Sequence, residues 1–213
     1  MQYSEYSIWD ILQFGDFIPL NVFIDNSIKQ DLQKYKDKWS IYNPRRNIKR
    51  EGLCVLNERG EVGPGPALDS LKQYNKENNT NWNETDFNKP TDLYHSSKAL
   101  QSLLGDILHN CVRTHFIKLA PGGFFPPHRD HTRGKQNTFR LILPIQNFNP
   151  PYCNFNLENK PLYFEYNKMY FINTTKQHTL FNASATRDSI WLIINAILCK
   201  DMVDYVINNL AEQ

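Results

Sequence analysis

The chain is predicted to be mainly β with helices in its amino-terminal part, an α+β domain whose core is a jelly-roll sandwich. Three observations carry this. From about Arg113 onward, apolar and polar residues alternate, and short runs rich in Phe, Ile, Tyr and Trp are separated by turn residues. Before that point the apolar spacing is helical. The 213 residues suffice for one sizeable core, whereas two halves would each be small. One domain over 1–213 is therefore expected, with a helical and loop region over 1–112, a β core over 113–200 and a closing helix within 201–213.

The first half reads as helices separated by loops. Ser27 to Trp39 has a capping residue at Asn26 or Ser27 and a charged face. Pro66 to Lys76 opens on a proline and carries Leu68, Leu71 and Tyr74 at helical spacing, and Ser96 to Leu108 sets Leu100, Leu103, Leu104, Ile107 and Leu108 on one stripe. Breaker-rich loops lie at Gly60 to Pro66 and Asn78 to Asn81. Strands are predicted at Thr114 to Leu119, Phe139 to Ile145, Cys153 to Leu157, Leu162 to Tyr166, Met169 to Ile172 and Ser189 to Ile197, with a hairpin turn at Tyr166-Asn167-Lys168. Antiparallel strands of this number and length suit a jelly roll, as in cupins, with helices on one outer face. Met202 to Leu210 reads as an amphipathic last helix.

Charge and cysteine usage exclude several classes. The formal net charge is +2, from 24 basic and 22 acidic residues without a long run of either sign, so no nucleic-acid partner is expected. Four scattered cysteines, Cys54, Cys111, Cys153 and Cys199, form no CxxC pair and suit reduced thiols in a cytoplasmic setting. The amino terminus lacks the basic flank and apolar core of a signal peptide, and no apolar run approaches a membrane span. A soluble cytoplasmic protein is expected.

The chemistry-bearing stretch is Pro126-Pro127-His128-Arg129-Asp130, answered by His178 and, nine residues later, Arg187. In an extended segment residues i and i+2 project from one face, so His128 and Asp130 can reach one ion. The two prolines stiffen the approach. His178 follows Tyr170-Phe171-Ile172-Asn173, where a return strand can bring it beside the pair. Two imidazoles and a carboxylate occupy one face of a six-coordinate Fe(II) and leave three positions open. The tripeptide alone equally fits loop residues making ordinary hydrogen bonds. His131 adjoins the motif but points to the other face of an extended segment, and His95, His109 and His115 read as surface or packing residues.

Read as a strand, 187–195 places Arg187, Ser189, Trp191, Ile193 and Asn195 on one face. That mixture of charge, hydroxyl, aromatic and amide suits a ligand-lined interior, which makes Arg187 and Ser189 candidate cosubstrate contacts. A buried guanidinium needs a partner and matches a carboxylate bidentately, although a salt bridge within the protein would satisfy it equally. Arg140 poses the same question. Phe139, Leu141, Leu143 and Ile145 form an apolar face, leaving Arg140 with Ile142 and Pro144 on the other, toward pocket or solvent.

The run Phe116 to Asp130, then Arg140-Leu141-Ile142-Leu143-Pro144-Ile145, then Tyr170 to Asn173 with His178, and finally Arg187 resembles the aspartyl/asparaginyl β-hydroxylase family, in pattern nearest its cis-4-proline hydroxylase branch. The resemblance covers the carboxy-terminal half. It implies a double-stranded β-helix fold and an Fe(II)/2-oxoglutarate-dependent dioxygenase using O2, with ascorbate as an auxiliary reductant. It further implies that His128, Asp130 and His178 are the iron ligands and catalytic centre, that Arg187 binds the C5 carboxylate of 2-oxoglutarate, and that Arg140 assists with a carboxylate. Two departures stand out. Asp130 supplies a carboxylate ligand that the aspartyl hydroxylases proper lack, and Ile142 stands where a histidine often follows the arginine.

The implied substrate is an amino acid or an amino-acid residue in a peptide or protein, with succinate and CO2 released. Asn57, Arg59, Trp82 and Tyr94 are candidates to contact it, and each is equally explained as a loop or packing residue. Two rivals share parts of the pattern. A non-catalytic cupin-like module would hold metal or 2-oxoglutarate without turnover. A nucleic-acid demethylase would carry a second arginine on the last strands, and Asp188 to Leu198 offers none. Oligomeric state is not encoded in any feature of the sequence.

Overall fold

The computed structural model describes residues 7–46, 48–130 and 137–211. Strands in chain order are β1 (Phe17–Phe23), β2 (Ser40–Ile41), β3 (Arg50–Cys54), β4 (Leu56–Asn57), β5 (Lys89–Pro90), β6 (Cys111–Leu119), β7 (Phe124–His128), β8 (Thr138–Gln146), β9 (Cys153–Leu157), β10 (Lys160–Leu162), β11 (Lys168–Ile172), β12 (His178–Asn182) and β13 (Ser189–Ile197). The helices are α1 (Ile8–Leu12), α2 (Ile28–Lys34), α3 (Leu71–Asn78), α4 (Asp92–Ser96), α5 (Lys98–Leu104) and α6 (Lys200–Asn208). From β6 to β13 the chain passes back and forth between a seven-stranded sheet, ordered β1-β11-β8-β13-β6-β3-β2, and a four-stranded sheet, ordered β10-β9-β12-β7. That alternation is a double-stranded β-helix, the jelly-roll core the strand pattern predicts.

Two apolar layers follow from the two-residue period of the strands. Phe139, Leu141, Leu143 and Ile145 of β8, with Leu192 and Ile194 of β13, face outward from the large sheet. They pack with Leu100, Leu103 and Leu104 of α5 and Met202, Val203 and Val206 of α6. The alternate residues Ile142, Trp191, Ile117 and Tyr170 face inward and meet Phe155, Leu157 and Leu180 of the small sheet. Helices on one outer face and a site between sheets are thus one consequence of the same alternation.

The amino-terminal half differs from the expectation of helices and loops. β1 and β3 extend both sides of the large sheet, and β1 pairs with β11 while β3 pairs with β6. Pro19 masks β1 in the sequence, but β1 is an edge strand, where a missing N–H costs no ladder bond. Gly52 masks β3, and a Cβ at that position would lie 2.6 Å from a Leu68 methyl. The predicted helices are shorter and interrupted: 66–76 becomes a 3-10 turn at Pro66–Leu68 followed by α3, and 96–108 becomes α5 with a later 3-10 turn.

The predicted hairpin at Tyr166-Asn167-Lys168 is also corrected. β10 belongs to the small sheet and β11 to the large one, so this turn is a crossover between sheets. Asn167 adopts φ 58 there, and its amide donates to the Ile24 carbonyl. The true hairpin joins β9 to β10 through Glu158 and Asn159, both at positive φ, with Leu157 opposite Lys160. Among the described residues, no helix is long and apolar enough to cross a membrane.

Candidate metal centre and its cavity

A tight turn delivers the first ligands. After β6, Gly122 takes φ 76, and Gly123 packs so closely that a Cβ would meet the Lys49 carbonyl oxygen at 2.5 Å and that of Ala120 at 2.8 Å. The chain then returns as β7, whose last residue is His128. β12 runs antiparallel to β7, and its first residue, His178, stands directly opposite His128. The ring centroids are 4.3 Å apart. Asp130 follows in a bend held by its N–H donating to the Thr174 carbonyl.

The ligand atoms converge. Asp130 Oδ1 lies 3.4 Å from His128 Nε2 and 3.8 Å from His178 Nε2, and all three ligand atoms fall within 4.8 Å of one another. Each imidazole is oriented from behind: His128 Nδ1 donates to the Pro126 carbonyl at 2.7 Å, and His178 Nδ1 donates to the Lys176 carbonyl at 3.0 Å. A carbonyl can only accept, so the proton belongs on Nδ1 and the Nε2 lone pairs face the shared centre. Asp130 Oδ2 is held in turn by Arg140 Nε at 3.3 Å, which frees Oδ1 for the histidines.

The electrostatics match a cation site. Burial opposes ionisation of Asp130, but the His128 hydrogen bond and the charges of Arg140 and His178 outweigh it and hold the carboxyl well below the usual range. Burial lowers the pKa of His178. Burial would do the same to His128, but Asp130 raises it by hydrogen bond and charge. A charged carboxylate set beside two imidazole lone pairs fits a divalent metal of the softness that N and O donors bind.

This centre lines a cavity of about 730 Å3 whose far walls come from the amino-terminal half, including Tyr42, Arg46, Arg50, Leu71, Lys72 and Glu84. Arg140 lines it too. Its guanidinium bridges Asp130 and Glu84, with Nη2 3.0 Å from Glu84 Oε1. Glu84 also pairs with Arg113 at 3.3 Å and accepts from the Thr138 hydroxyl at 2.6 Å. Burial works against its charge, but Arg140 and Arg113 bring its pKa down to about 2. Glu84 was not evident in the sequence. Asn83 and Asp86 cap a 3-10 turn there, which signals the turn but not the arginines it meets.

Other candidates are placed elsewhere. Arg187 precedes β13 and is exposed, its guanidinium 6.0 Å from the Tyr152 ring centroid, so it is not brought to the cavity. The strand begins only at Ser189, and the face-sharing that included Arg187 does not extend back to it. Ser189 is fully buried and outside the cavity lining, its hydroxyl accepting from Trp191 Nε1 at 2.7 Å. Asn57 shapes its own loop by accepting from Arg59, Gly60 and Glu61 N–H groups. Trp82 packs on Phe87, and Tyr94 belongs to the outer core. Arg59 does not line the cavity. His95 and His109 are exposed; His115 is buried, and burial together with the Arg113 charge pushes it down to about 3. His131 lies outside the described residues.

An inward-facing His/Asp/His set inside a double-stranded β-helix defines a jelly-roll protein with a candidate site for a single metal ion. The sequence matches the aspartyl/asparaginyl β-hydroxylase family model over residues 44–197, and the chain belongs to that family. No curated protein matches it. Among solved structures it is similar to a prolyl-4-hydroxylase from Pseudomonas putida, at 13% identity over 91% of this chain and 98% of that chain, TM-score 0.49. An oxidoreductase of the 2OG-Fe(II) oxygenase family from Burkholderia pseudomallei matches at 9% identity over 92% and 93%, TM-score 0.47. A predicted oxalate decarboxylase from Thermotoga maritima matches at 16% over 45% and 74%, TM-score 0.33.

Proposed function

We propose that the protein is an Fe(II)/2-oxoglutarate-dependent hydroxylase acting on an amino acid or on an amino-acid residue of a peptide. The observation that carries this reading is the convergence of His128 Nε2, Asp130 Oδ1 and His178 Nε2 beside a cavity large enough for a cosubstrate and a small substrate. Family membership supports it. When bound, iron with the keto acid and O2 supplies the oxidising power to hydroxylate an unactivated C–H bond.

The chain's own contribution is positioning. His128 and His178 present neutral Nε2 donors because their Nδ1 protons are engaged by backbone carbonyls. Arg140 fixes the rotation of the Asp130 carboxylate, and Glu84 fixes Arg140. Ile142, Phe155, Ile172 and Trp191 exclude water from the inner wall. Tyr42, Leu71 and Lys72, contributed by the amino-terminal half, form the surface against which a substrate is aimed.

The test is succinate formation coupled to oxygen uptake in the presence of Fe(II) and 2-oxoglutarate. The reading predicts both, even without prime substrate, at a slow uncoupled rate. One observation favours a second reading, a metal-holding module without turnover: the arginine the family resemblance assigns to the cosubstrate, Arg187, faces solvent. Metal binding without succinate would select that reading.

A further inference from the structure

Arg50 is a buried charge without a counter-ion among the described residues. It is 6% exposed, and among the described residues its Nε has no hydrogen-bond partner and its guanidinium no carboxylate. Its neighbours are aromatic instead: the guanidinium carbon lies 3.9 Å from the Phe125 ring centroid and 5.2 Å from that of Tyr42. Burial lowers its pKa to about 10, so it stays charged at neutral pH. A desolvated, unpaired guanidinium is costly and calls for an anion that is bound from outside.

Its location says which anion. Arg50 lines the cavity that holds His128, Asp130 and His178, and Phe125 stacks between it and His128, with ring centroids 5.9 Å apart. On the large sheet Arg50 stands opposite Leu119, and Leu119 stands opposite Ser189. Arg50 therefore occupies the same cross-strand row as the start of β13, two strands away, or about 10 Å. The other buried arginines of the cavity are already paired. Arg140 is held by Asp130 and Glu84, and Arg113 by Glu84 and the carbonyls of Ala67 and Asp69. The Asp69 carboxylate is engaged by Arg45. Arg46 and Lys72 add positive charge along the same wall.

We propose that Arg50, and not Arg187, holds the distal carboxylate of the dicarboxylate keto acid that binds at the His128/Asp130/His178 centre. This rests on the cosubstrate reading above. The planar fork donates to both carboxylate oxygens, and the Phe125 and Tyr42 rings keep water from competing.

The experiment is anaerobic calorimetry on the full chain loaded with Co(II), titrated with 2-oxoglutarate and with 2-oxobutyrate, which shares the keto-acid head but lacks the distal carboxylate. Wild type is expected to prefer 2-oxoglutarate by at least tenfold. Arg50→Met is expected to weaken 2-oxoglutarate about thirtyfold to hundredfold, equivalent to about 2 to 3 kcal/mol. It should leave 2-oxobutyrate and Co(II) affinity within about twofold, a criterion set at the scale of ordinary replicate error. Arg50→Lys, which keeps the charge but not the fork, should fall between. Because the substitution removes an unpaired buried charge, the ligand-free variant should melt no lower than wild type, which excludes misfolding as the cause. Unchanged 2-oxoglutarate affinity in Arg50→Met overturns the assignment alone. Failure of Co(II)-loaded wild type to bind 2-oxoglutarate overturns the cosubstrate reading and this proposal together.

Discussion

At the residue scale the centre depends on a short relay: Glu84 orients Arg140, Arg140 orients Asp130, and Asp130 meets both histidines. His178→Ala removes one of three ligand atoms, and calorimetry should then detect no stoichiometric Co(II) binding. Glu84 makes a separate, pH-dependent contribution to stability. Its pKa is brought from 4.5 to about 2 in the folded chain by Arg140 and Arg113 acting against burial. Because the folded value is the lower one, the stabilisation is complete above about pH 4.5 and is lost as pH falls toward 2. The shift corresponds to about 3 kcal/mol. Urea unfolding of Glu84→Gln should show a loss of that order at pH 7 and a smaller difference from wild type near pH 3. An equal difference at both pH values would assign the effect to packing. The His128/Asp130/His178 set was legible as a candidate metal site because its residue types and spacing carry the chemistry locally. Glu84 and Arg50 were not, since each acquires meaning only from residues distant in sequence that the sheet brings beside it.

At the element scale, the strands best read from sequence were those with strict alternation. Cys153–Leu157 and Ser189–Ile197 have the predicted ends, and β6 and β8 exceed their predicted ranges by a few residues. Not among the predicted strands were the two-residue β2, β4 and β5, nor β1, β3, β7 and β12, whose proline, glycine or polar residues sit where edge placement, a close methyl or the candidate ligands override propensity. Of the strand predicted at Leu162 to Tyr166 only Leu162 is extended, as the end of β10. The β10 to β11 turn was legible as a turn but not as a crossover, since turn chemistry does not say which sheet the next strand joins. The turn before β7 sets the ligand geometry and tolerates no side chain at its second glycine. Gly123→Ala should destabilise the protein by about 1 to 3 kcal/mol, because the obstructing atoms are backbone oxygens that cannot swing aside. Urea denaturation measures this, and a midpoint equal to wild type would show that the turn can open.

On the scale of the whole molecule, one sheet serves two layers, with an outer apolar face for the helices and an inner face for the site. The amino-terminal half supplies much of the cavity wall as well as strands of the large sheet, so the cavity's shape and the fold depend on the same elements. The three candidate ligand atoms converge only in the folded arrangement, so a metal that binds there should stabilise the whole domain. At a Co(II) concentration a hundredfold above the dissociation constant the gain is about 2.7 kcal/mol. For a chain of this size that is about 5 to 10 °C in melting temperature. Differential scanning calorimetry should show the rise in wild type and none in His178→Ala. The most direct test of the central claim is parallel measurement of O2 consumed and succinate formed by Fe(II)-loaded protein supplied with 2-oxoglutarate. The account predicts equimolar O2 uptake and succinate formation, abolished in His178→Ala; iron-loaded wild type that consumes no O2 and forms no succinate would contradict it.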